Sequence, residues 1–225
     1  MKTAVITGAS RGIGLATAKL FLENGWQVIG TFNKTDIPIK NDKLAAVRLD
    51  LASPKEVNHI AEQIKKQVKT VDILVNNAGI VLDGRDENID VDKIRQTFEV
   101  DLFALIDLTQ KLLPLMAAGS HVINIDSNYG AQSFPIDDKT HVGYRLAKAA
   151  LNMYTRILDF YLKDKNIKVS SLDPGWVKTD MGMVAATGIN HPDKEPEEVA
   201  EEIYRIAAKV NESGYFWHFG QKREW

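Results

Sequence analysis

Short apolar runs alternate with longer segments of helical periodicity along the whole chain. The first run, residues 4–7, stops at a group of glycines, and the others also end at turn residues. Strands that are nearly all apolar and are separated by helices are typical of a parallel sheet covered on both faces. The sequence therefore predicts an α/β fold in which residues 1–225 form a single domain around one doubly wound parallel sheet.

The expected elements follow from this pattern and from the capping residues between them. We predict strands at residues 4–7, 26–31, 44–49, 71–75, 122–125, 167–172 and 215–219. We predict helices at residues 17–23, from 54 to about 68, from about 92 to 117, at 143–163, and from Pro196 onward. Ser53 and Glu56 have the spacing of a capping box, and Asn24 and Gly25 are suited to end the first helix.

Composition narrows the class of protein. The chain is 44% hydrophobic and 26% charged, and its net charge of −2 gives no electrostatic reason to expect nucleic acid or an acidic membrane. It has no cysteine, which excludes disulfides and thiolate metal ligands, and its five histidines show no metal-ligand spacing. No stretch approaches the roughly 20 apolar residues of a membrane span. We therefore expect a cytoplasmic protein without a metal, a nucleic-acid partner or a membrane partner.

A glycine-rich turn lies between the first predicted strand and the first predicted helix, with glycines at positions 8, 12 and 14. A pyrophosphate can approach a helix N-terminus only where no Cβ blocks it, and the unpaired N–H groups there favour negative charge. The spacing differs from the more familiar Gly-x-Gly-x-x-Gly, but the physical requirement is the same. Glycines alone are weak evidence; the strand before them and the helix after them make this turn a candidate dinucleotide site.

Tyr144 and Lys148 lie four residues apart in a predicted helix, so that their side chains project from one face. A tyrosine hydroxyl with a pKa of about 10 is a poor acid–base catalyst at neutral pH, and a neighbouring ammonium lowers that pKa. The same spacing is common in helices where the tyrosine only packs. Ser127 favours a functional interpretation because it lies just beyond the fifth predicted strand, where ligands bind in this architecture.

The chain resembles the short-chain dehydrogenase/reductase family from residue 3 to about residue 179. The resemblance rests on five ordered motifs: Thr7-Gly8-x-x-x-Gly12-x-Gly14, Asn76-Asn77-Ala78-Gly79, Ser127, Tyr144-x-x-x-Lys148 and Pro174-Gly175. It implies a Rossmann-like fold and an oxidoreductase that transfers hydride between a nicotinamide dinucleotide and a carbonyl group. With the glycine turn and its flanking residues, it implies these cofactor-binding residues: Gly8, Ser10, Arg11, Gly12, Ile13, Gly14, Asn33, Lys34, Asp50, Leu51, Asn76, Ala78, Gly79, Tyr144, Lys148, Pro174, Gly175, Val177 and Thr179.

The end of the second predicted strand favours NADPH over NADH. In dinucleotide-binding folds an acidic residue there binds the adenosine ribose and repels a 2′-phosphate, but that position holds Phe32 in this chain. Arg11 in the glycine turn and Lys34 could instead pair with the phosphate. The alternative is that both are solvated surface cations.

The resemblance also implies a role for each catalytic candidate. Tyr144 would donate a proton to the substrate oxygen, Ser127 would donate a hydrogen bond to it, and Lys148 would tune Tyr144 and hold the nicotinamide ribose. Asp101 stands where many family members have an asparagine that completes a relay to solvent. An aspartate there adds negative charge and could raise the tyrosine pKa, unless Asp101 is a structural residue at a helix kink.

A small ketone or aldehyde is the predicted substrate. Residues 128–143 and 176–191 would wall its pocket with apolar and aromatic side chains: Tyr129, Phe134, Trp176, Met181, Met183 and Val184. Two alternatives stay open, namely an alcohol dehydrogenase acting in the oxidative direction and a non-catalytic NADP(H)-sensing binding protein. Similar proteins are usually homo-oligomers, often through their fourth and fifth helices, so we also expect a homo-oligomer (dimer or tetramer).

Overall fold

The computed structural model describes residues 1–136, 138–184 and 190–225, and within them eight strands form one sheet. The strands are β1 (Thr3–Ile6), β2 (Gln27–Phe32), β3 (Leu44–Arg48), β4 (Ile73–Asn76), β5 (His121–Ile125), β6 (Lys168–Leu172), β7 (Tyr215–His218) and β8 (Gln221–Arg223). The helices are α1 (Gly12–Glu23), α2 (Pro54–Gln67), α3 (Val91–Phe98), α4 (Ala104–Leu112), α5 (Val142–Leu162), α6 (Asp180–Val184) and α7 (Pro196–Lys209).

The strand order is β3-β2-β1-β4-β5-β6-β7-β8. Strands β1 to β7 pair in parallel, and β8 pairs antiparallel with β7 at the edge. The order reverses at β1, which has β2 on one side and β4 on the other. The chain leaves the neighbouring strands β1 and β4 toward opposite faces of the sheet, which opens a crevice at their carboxyl ends. The predicted doubly wound parallel sheet is confirmed, with an antiparallel edge strand added.

Two hydrophobic clusters cover the two faces of the sheet. Alternation along β1 shows this directly, because Ala4 and Ile6 belong to one cluster and Val5 belongs to the other. In the first cluster the ring of Phe21 packs edge-on against Trp26 and Tyr204, with centroids 5.1 Å apart in both pairs. This packing joins α1 to α7, whereas α2, α4 and α5 supply the second cluster.

Several predicted boundaries are wrong. Helix α1 begins at Gly12, not at residue 17, because the glycine turn continues directly into the helix. The predicted helix over residues 92–117 is divided into α3 and α4 by a π-helical segment, Glu99–Phe103, and ends in a 3-10 turn, Leu113–Leu115. Asp101, for which a structural role at a helix kink was the alternative, lies in this π segment, and such segments are frequent at functional sites. Strand β8 and helix α6 were not predicted.

Capping explains where α1 and α2 stop and start. Asn24 caps α1 and Gly25 follows with a φ of +82°, as predicted. Half of the predicted capping box forms at α2, where the Ser53 hydroxyl accepts the N–H of Glu56 at 3.4 Å. The Glu56 carboxylate accepts instead from the N–H of Asp50 at 2.8 Å, which ties the end of β3 to α2.

No helix in the described part of the chain is both long and apolar enough to cross a lipid bilayer.

Candidate active site

The glycine turn forms a cradle of backbone at the start of α1. Gly8 and Gly12 have φ values of +68° and +53°, which other residues rarely adopt. A Cβ at Gly14 would lie 2.2 Å from the carbonyl oxygen of Gly8, so the turn closes only with glycine there. Arg11 is the N-cap of α1, and no side chain of the described residues caps the helix at that position. The N–H groups of this first turn are suited to a pyrophosphate.

Asn77 and Thr7 hold the glycine turn in place. The Thr7 hydroxyl accepts the N–H groups of Asn77 at 2.9 Å and Ala78 at 3.0 Å. The Asn77 amide donates in return to the carbonyls of Thr7 at 2.8 Å and Gly8 at 3.2 Å. Sequence analysis did not single out Asn77 as a site residue, because nothing in the pair 76–77 shows which side chain faces the turn.

Asn76 was predicted at the cofactor but its side chain turns into the core. Its amide donates to Thr109 at 3.0 Å and to Asn124 at 2.9 Å. Residues that alternate along a strand project to opposite faces, which places the neighbouring asparagines in different roles. The Asn76 amide is thus engaged in the core, and its predicted contact with a cofactor stays a prediction.

The predicted adenosine end of the site is open to solvent. Asn33 and Lys34 are exposed after β2, and Phe32 is half-buried. Arg11 forms an ion pair with Asp180 of α6, and both side chains are about three-quarters exposed at 76% and 75%. Such an exposed pair contributes little to stability, so the guanidinium can exchange partners at small cost.

The other predicted adenosine residues follow β3. Asp50 uses its carboxylate locally and accepts the N–H of Ala52 at 3.0 Å. Leu51 is buried beside it. These two residues thus belong to an ordered turn after the carboxyl end of β3.

Ser127 is placed by the end of β5 and by a 3-10 turn, Asn128–Gly130. Its hydroxyl accepts the N–H of Tyr129 at 3.2 Å and lies 3.3 Å from the amide oxygen of Asn128. A Cβ at Gly130 would lie 2.4 Å from the carbonyl carbon of Lys148, so this turn packs directly on the backbone of α5. The strand end and the helix therefore meet at the candidate residues.

Tyr144, Lys148 and Asp101 lie together, as the sequence predicts. The Lys148 ammonium is 5.5 Å from the centre of the Tyr144 ring and 3.4 Å from a carboxylate oxygen of Asp101. It also donates to the carbonyl of Ile125 at 3.0 Å. The other Asp101 oxygen accepts the N–H of Ile80 at 2.9 Å. Asp101 thus connects Lys148 to the segment after β4.

The electrostatics of this group differ from the simple expectation. Burial raises the pKa of Tyr144, and the charges of Asp101 and Asp126 raise it further, whereas Lys148 and a hydrogen bond to Ser127 lower it. The predicted lowering by Lys148 is therefore present but outweighed. Burial opposes the charge of Lys148, but Asp101 leads the interactions that raise the Lys148 pKa to about 12. The ammonium stays charged across the neutral range.

Asp83 holds the N-terminus of α5, a role that sequence analysis missed. His141, the N-cap residue, has a φ of +60° and provides no capping side chain within the described residues. The buried Asp83 carboxylate accepts the N–H of Gly143 instead, and its carbonyl accepts the N–H of His141 at 3.1 Å. The helix that carries Tyr144 is thus capped by the loop after β4, a contact between residues far apart in sequence.

The segment after β6 folds back onto the glycine turn. Gly175 has a φ of +69°, and Pro174 and Val177 are buried. A Cβ at Gly12 would lie 2.9 Å from the Thr179 side chain. The predicted nicotinamide-binding residues therefore border the same crevice as the predicted pyrophosphate turn.

Aromatic side chains border Tyr144 on the predicted substrate side. The Tyr129 ring centre lies 6.4 Å from Tyr144, 5.8 Å from Phe134 and 5.3 Å from His141. His141 lies within the predicted wall, residues 128–143, but the sequence did not single out its side chain there. On the other side of this loop, a cavity of about 260 Å³ is lined by residues 128–134, Arg223 and Glu224, without Ser127 or Tyr144.

The second predicted wall of the substrate pocket, residues 176–191, lies partly within the described residues. Trp176 donates its indole N–H to the carbonyl of Gly182 at 2.7 Å, which folds α6 against the loop. Arg85 donates to the carbonyl of Val184 at 2.9 Å, while Met181 and Met183 are exposed. Of the predicted range 176–191, residues 185–189 lie outside the described residues.

The comparison with protein families agrees with this geometry. Residues 2–190 match the family model described as short chain dehydrogenase, so the chain belongs to the short-chain dehydrogenase/reductase family of oxidoreductases. The resemblance inferred from the five motifs is confirmed.

Curated relatives and solved structures that resemble this chain include reductases and a dehydrogenase. The chain is 29% identical over 228 residues to the NADPH-dependent 3-dehydrocapnine reductase of Ornithobacterium rhinotracheale, with 95% of this chain and 79% of that protein covered. It is 30% identical over 194 residues to the NAD-dependent glycerol dehydrogenase of Listeria innocua, with 83% and 75% covered. The NADPH-bound carbonyl reductase from chicken fatty liver superposes with a TM-score of 0.86 at 25% identity, over 100% of this chain and 99% of that one.

Proposed function

We propose that this protein is a single-domain, NADPH-dependent reductase of small ketones or aldehydes. The observation that carries the proposal is the meeting of Ser127, Tyr144 and Lys148 beside the glycine-lined crevice. The three side chains come from a strand end and from one helix face, and Gly130 lets these two elements touch. A hydroxyl, a phenol and an ammonium in this arrangement can polarise a carbonyl and protonate its oxygen.

The residues perform the following steps in the proposed reaction. Ser127 donates a hydrogen bond to the substrate oxygen and stabilises the negative charge that develops there. Tyr144 donates its proton to the same oxygen, so that the carbonyl becomes a hydroxyl. Lys148 stabilises the phenolate that remains, because its ammonium is fixed by Asp101 and by the carbonyl of Ile125. When bound in the crevice, the reduced nicotinamide supplies the hydride for the carbonyl carbon.

The cofactor assignment rests on the fit of the crevice and on the charges at its mouth. The first turn of α1 presents N–H groups to a pyrophosphate, as described above. Phe32 leaves the end of β2 without a carboxylate, and Arg11 and Lys34 are exposed cations. Lys34 follows Phe32 by two residues, and the turn that carries Arg11 bonds to β2 through the Ala9 N–H and the Thr31 carbonyl at 2.7 Å. Three solved structures that are 25% identical to this chain are described as NADP or NADPH complexes, which supports a nicotinamide cofactor. NADPH in preference to NADH is our proposal.

The charges around Tyr144 favour reduction over the alternative of alcohol oxidation. Reduction needs the phenol form to donate a proton, whereas oxidation needs the phenolate to accept one. Burial and the neighbouring carboxylates raise the pKa of Tyr144 and extend the pH range over which it keeps its proton. This agrees with the reductase that we propose.

An exposed apolar face on α5 supports the expected homo-oligomer. Positions 146, 150, 153, 157 and 160 are apolar and alternate in spacing between four and three residues, as in a helix–helix seam. Phe160 is 79% exposed, and Leu146, Met153 and Ile157 are about half exposed. A stripe of this kind is typical of a contact surface. We propose that a second copy of the chain covers it.

A spectrophotometric screen tests the proposed activity. The purified protein is mixed with NADPH and a panel of ketones, aldehydes and quinones, and the loss of NADPH absorbance is followed, with NADH in parallel. Turnover of at least one carbonyl with a lower KM for NADPH supports the proposal. Turnover confined to alcohols with the oxidised cofactor favours the dehydrogenase alternative, and tight NADPH binding without turnover favours the sensing protein.

A further inference from the structure

Asp126 is a buried carboxylate directly before Ser127, and the mechanism above gives it no task. Its residue is 1% exposed. One carboxylate oxygen accepts the N–H of Ser127 at 2.9 Å, and the other accepts the Ser171 hydroxyl at 3.2 Å. Its own N–H donates to the carbonyl of Leu172 at 2.8 Å, which continues the pairing of β5 with β6. The carboxylate therefore fixes the backbone where the chain leaves β5 for Ser127.

The same group is tied to the helix that carries Tyr144. The Ser171 hydroxyl also lies 3.1 Å from the amide oxygen of Asn152, and Asn152 follows Lys148 by one turn on the same face of α5. Lys148 in turn donates to the carbonyl of Ile125, the residue before Asp126. Contacts on both sides of Asp126 thus join the strand end to α5.

Charged groups face Asp126 from the elements around it. From α5 these are Lys148 and the ionisable hydroxyl of Tyr144, whose pKa the Asp126 charge raises. Asp101, on the π-helical segment, draws on the same ammonium at 3.4 Å. Lys148 therefore serves two buried carboxylates at once.

A third carboxylate, Asp173, faces Asp126 from the loop after β6. Asp173 has a cation of its own, since the Arg223 guanidinium lies 2.9 Å from its carboxylate. Asp173 therefore makes little demand on Lys148. Asp126 and Asp101 are therefore the two carboxylates that share the Lys148 ammonium.

The charge of Asp126 changes with pH in the neutral range. Burial raises the pKa of Asp126 to about 7, although Lys148, the Ser127 N–H and Ser171 favour the charged form. The group is mostly neutral below that pH and mostly charged above it. When charged, it adds to Asp101 in holding the proton on the Tyr144 hydroxyl.

We propose that Asp126 is a positioning residue that holds Ser127 against α5, and that its charge controls the pH at which Tyr144 loses its proton. The importance of Asp126 for catalysis rests on the proposed function. The ionisation of Tyr144, however, can be measured without turnover. A purely structural role for Asp126 would leave that ionisation unchanged in a folded variant.

The test is an NMR titration of the protein labelled with ¹³C at the ζ carbon of tyrosine. Tyr144→Phe identifies the Tyr144 signal, and the parent is compared with Asp126→Asn and with Ser171→Ala. In Asp126→Asn the Tyr144 midpoint should move to lower pH, because a negative charge has been removed. In Ser171→Ala it should stay in place, because the carboxylate remains and is charged at the pH where a phenol titrates.

The parent alone provides a second reading that does not depend on the folding of a variant. Its Tyr144 signal should show a small inflection near pH 7, where Asp126 changes charge. An unshifted midpoint in folded Asp126→Asn, or a parent signal without the inflection, would overturn the proposal. If both effects are found in a protein that reduces no carbonyl, the proposed function fails while the role of Asp126 stands.

Discussion

At the residue scale, Asp101 and Lys148 form a buried ion pair at the position where the family often has an asparagine. Burial raises the pKa of Asp101, while Lys148 and the N–H of Ile80 favour its charged form. The two groups lie 3.4 Å apart and act in opposite directions on Tyr144, because Lys148 lowers the pKa of its hydroxyl and Asp101 raises it. An asparagine would offer hydrogen bonds without this charge. The effect of the Asp101 charge on Tyr144 can therefore be measured by comparing pH profiles of the parent and an asparagine variant.

Asp101→Asn should move the alkaline loss of reductase activity to lower pH. The charge of Asp101 raises the pKa of Tyr144, so its removal lets the hydroxyl lose its proton earlier. Reduction requires that proton, and the activity therefore falls at a lower pH in the variant. The measurement is kcat for carbonyl reduction across pH in parent and variant; superimposable profiles would mean that Asp101 does not act on Tyr144.

Arg11→Ala should weaken NADPH more than NADH. If Arg11 leaves Asp180 for the 2′-phosphate, its loss removes a charge-assisted hydrogen bond of about 1.5–3 kcal/mol from NADPH alone. KM for both dinucleotides is measured, with Lys19→Ala on the exposed surface of α1 as the control. Equal increases in KM for NADPH and NADH would show that Arg11 does not bind the 2′-phosphate.

At the scale of elements, the site depends on the contact between the 3-10 turn Asn128–Gly130 and α5. The turn presents Ser127, the helix presents Tyr144 and Lys148, and Gly130 allows backbone to approach backbone. Asp83 fixes the N-terminus of α5 at the opposite side of this contact. Positioning by two elements in contact is more accurate than positioning by loops.

Gly130→Ala should separate these elements and reduce both stability and activity. Its Cβ would fall 2.4 Å and 2.7 Å from backbone atoms of Lys148 and Ala149, which cannot rotate away. Overpacking of this kind costs about 1–3 kcal/mol. A displacement near 1 Å at the reacting groups can lower kcat on the order of 100-fold. Thermal unfolding and kcat are compared with those of Ser133→Ala in the same loop; near-parent values for Gly130→Ala would refute the contact.

At the scale of the whole molecule, sequence patterns predicted the architecture but not the contacts between distant residues. The alternation of apolar strands and helices identified the doubly wound sheet, and the spacing of Tyr144 and Lys148 placed them on one helix face. Asp83 capping α5 and Asn77 holding the glycine turn depend on contacts across some 60 to 70 residues, for which local patterns carry no signal. The antiparallel β8 was missed because its three residues, Gln221–Arg223, are all polar and do not alternate with apolar residues as in a typical strand.

The assembly prediction belongs to this scale. Ile157→Lys should weaken self-association, because it places a charge in the exposed apolar seam of α5. The molar mass in solution is measured by light scattering across a range of concentrations, with Arg156→Lys, the neighbouring conservative change, as the control. A parent that is monomeric at every concentration, or a variant with the parent's mass, would contradict the proposed seam.

The most direct test of the account replaces the hydroxyl that is proposed to donate the proton. Tyr144→Phe should lower kcat for carbonyl reduction by about 100-fold or more, while NADPH binding followed by fluorescence stays near the parent value. Tyr154→Phe is the matched control, because Tyr154 lies on the same helix and its hydroxyl accepts from Gln110 at 3.4 Å, away from Ser127. A Tyr144→Phe variant that keeps most of its turnover would contradict the assignment of Tyr144 as the acid.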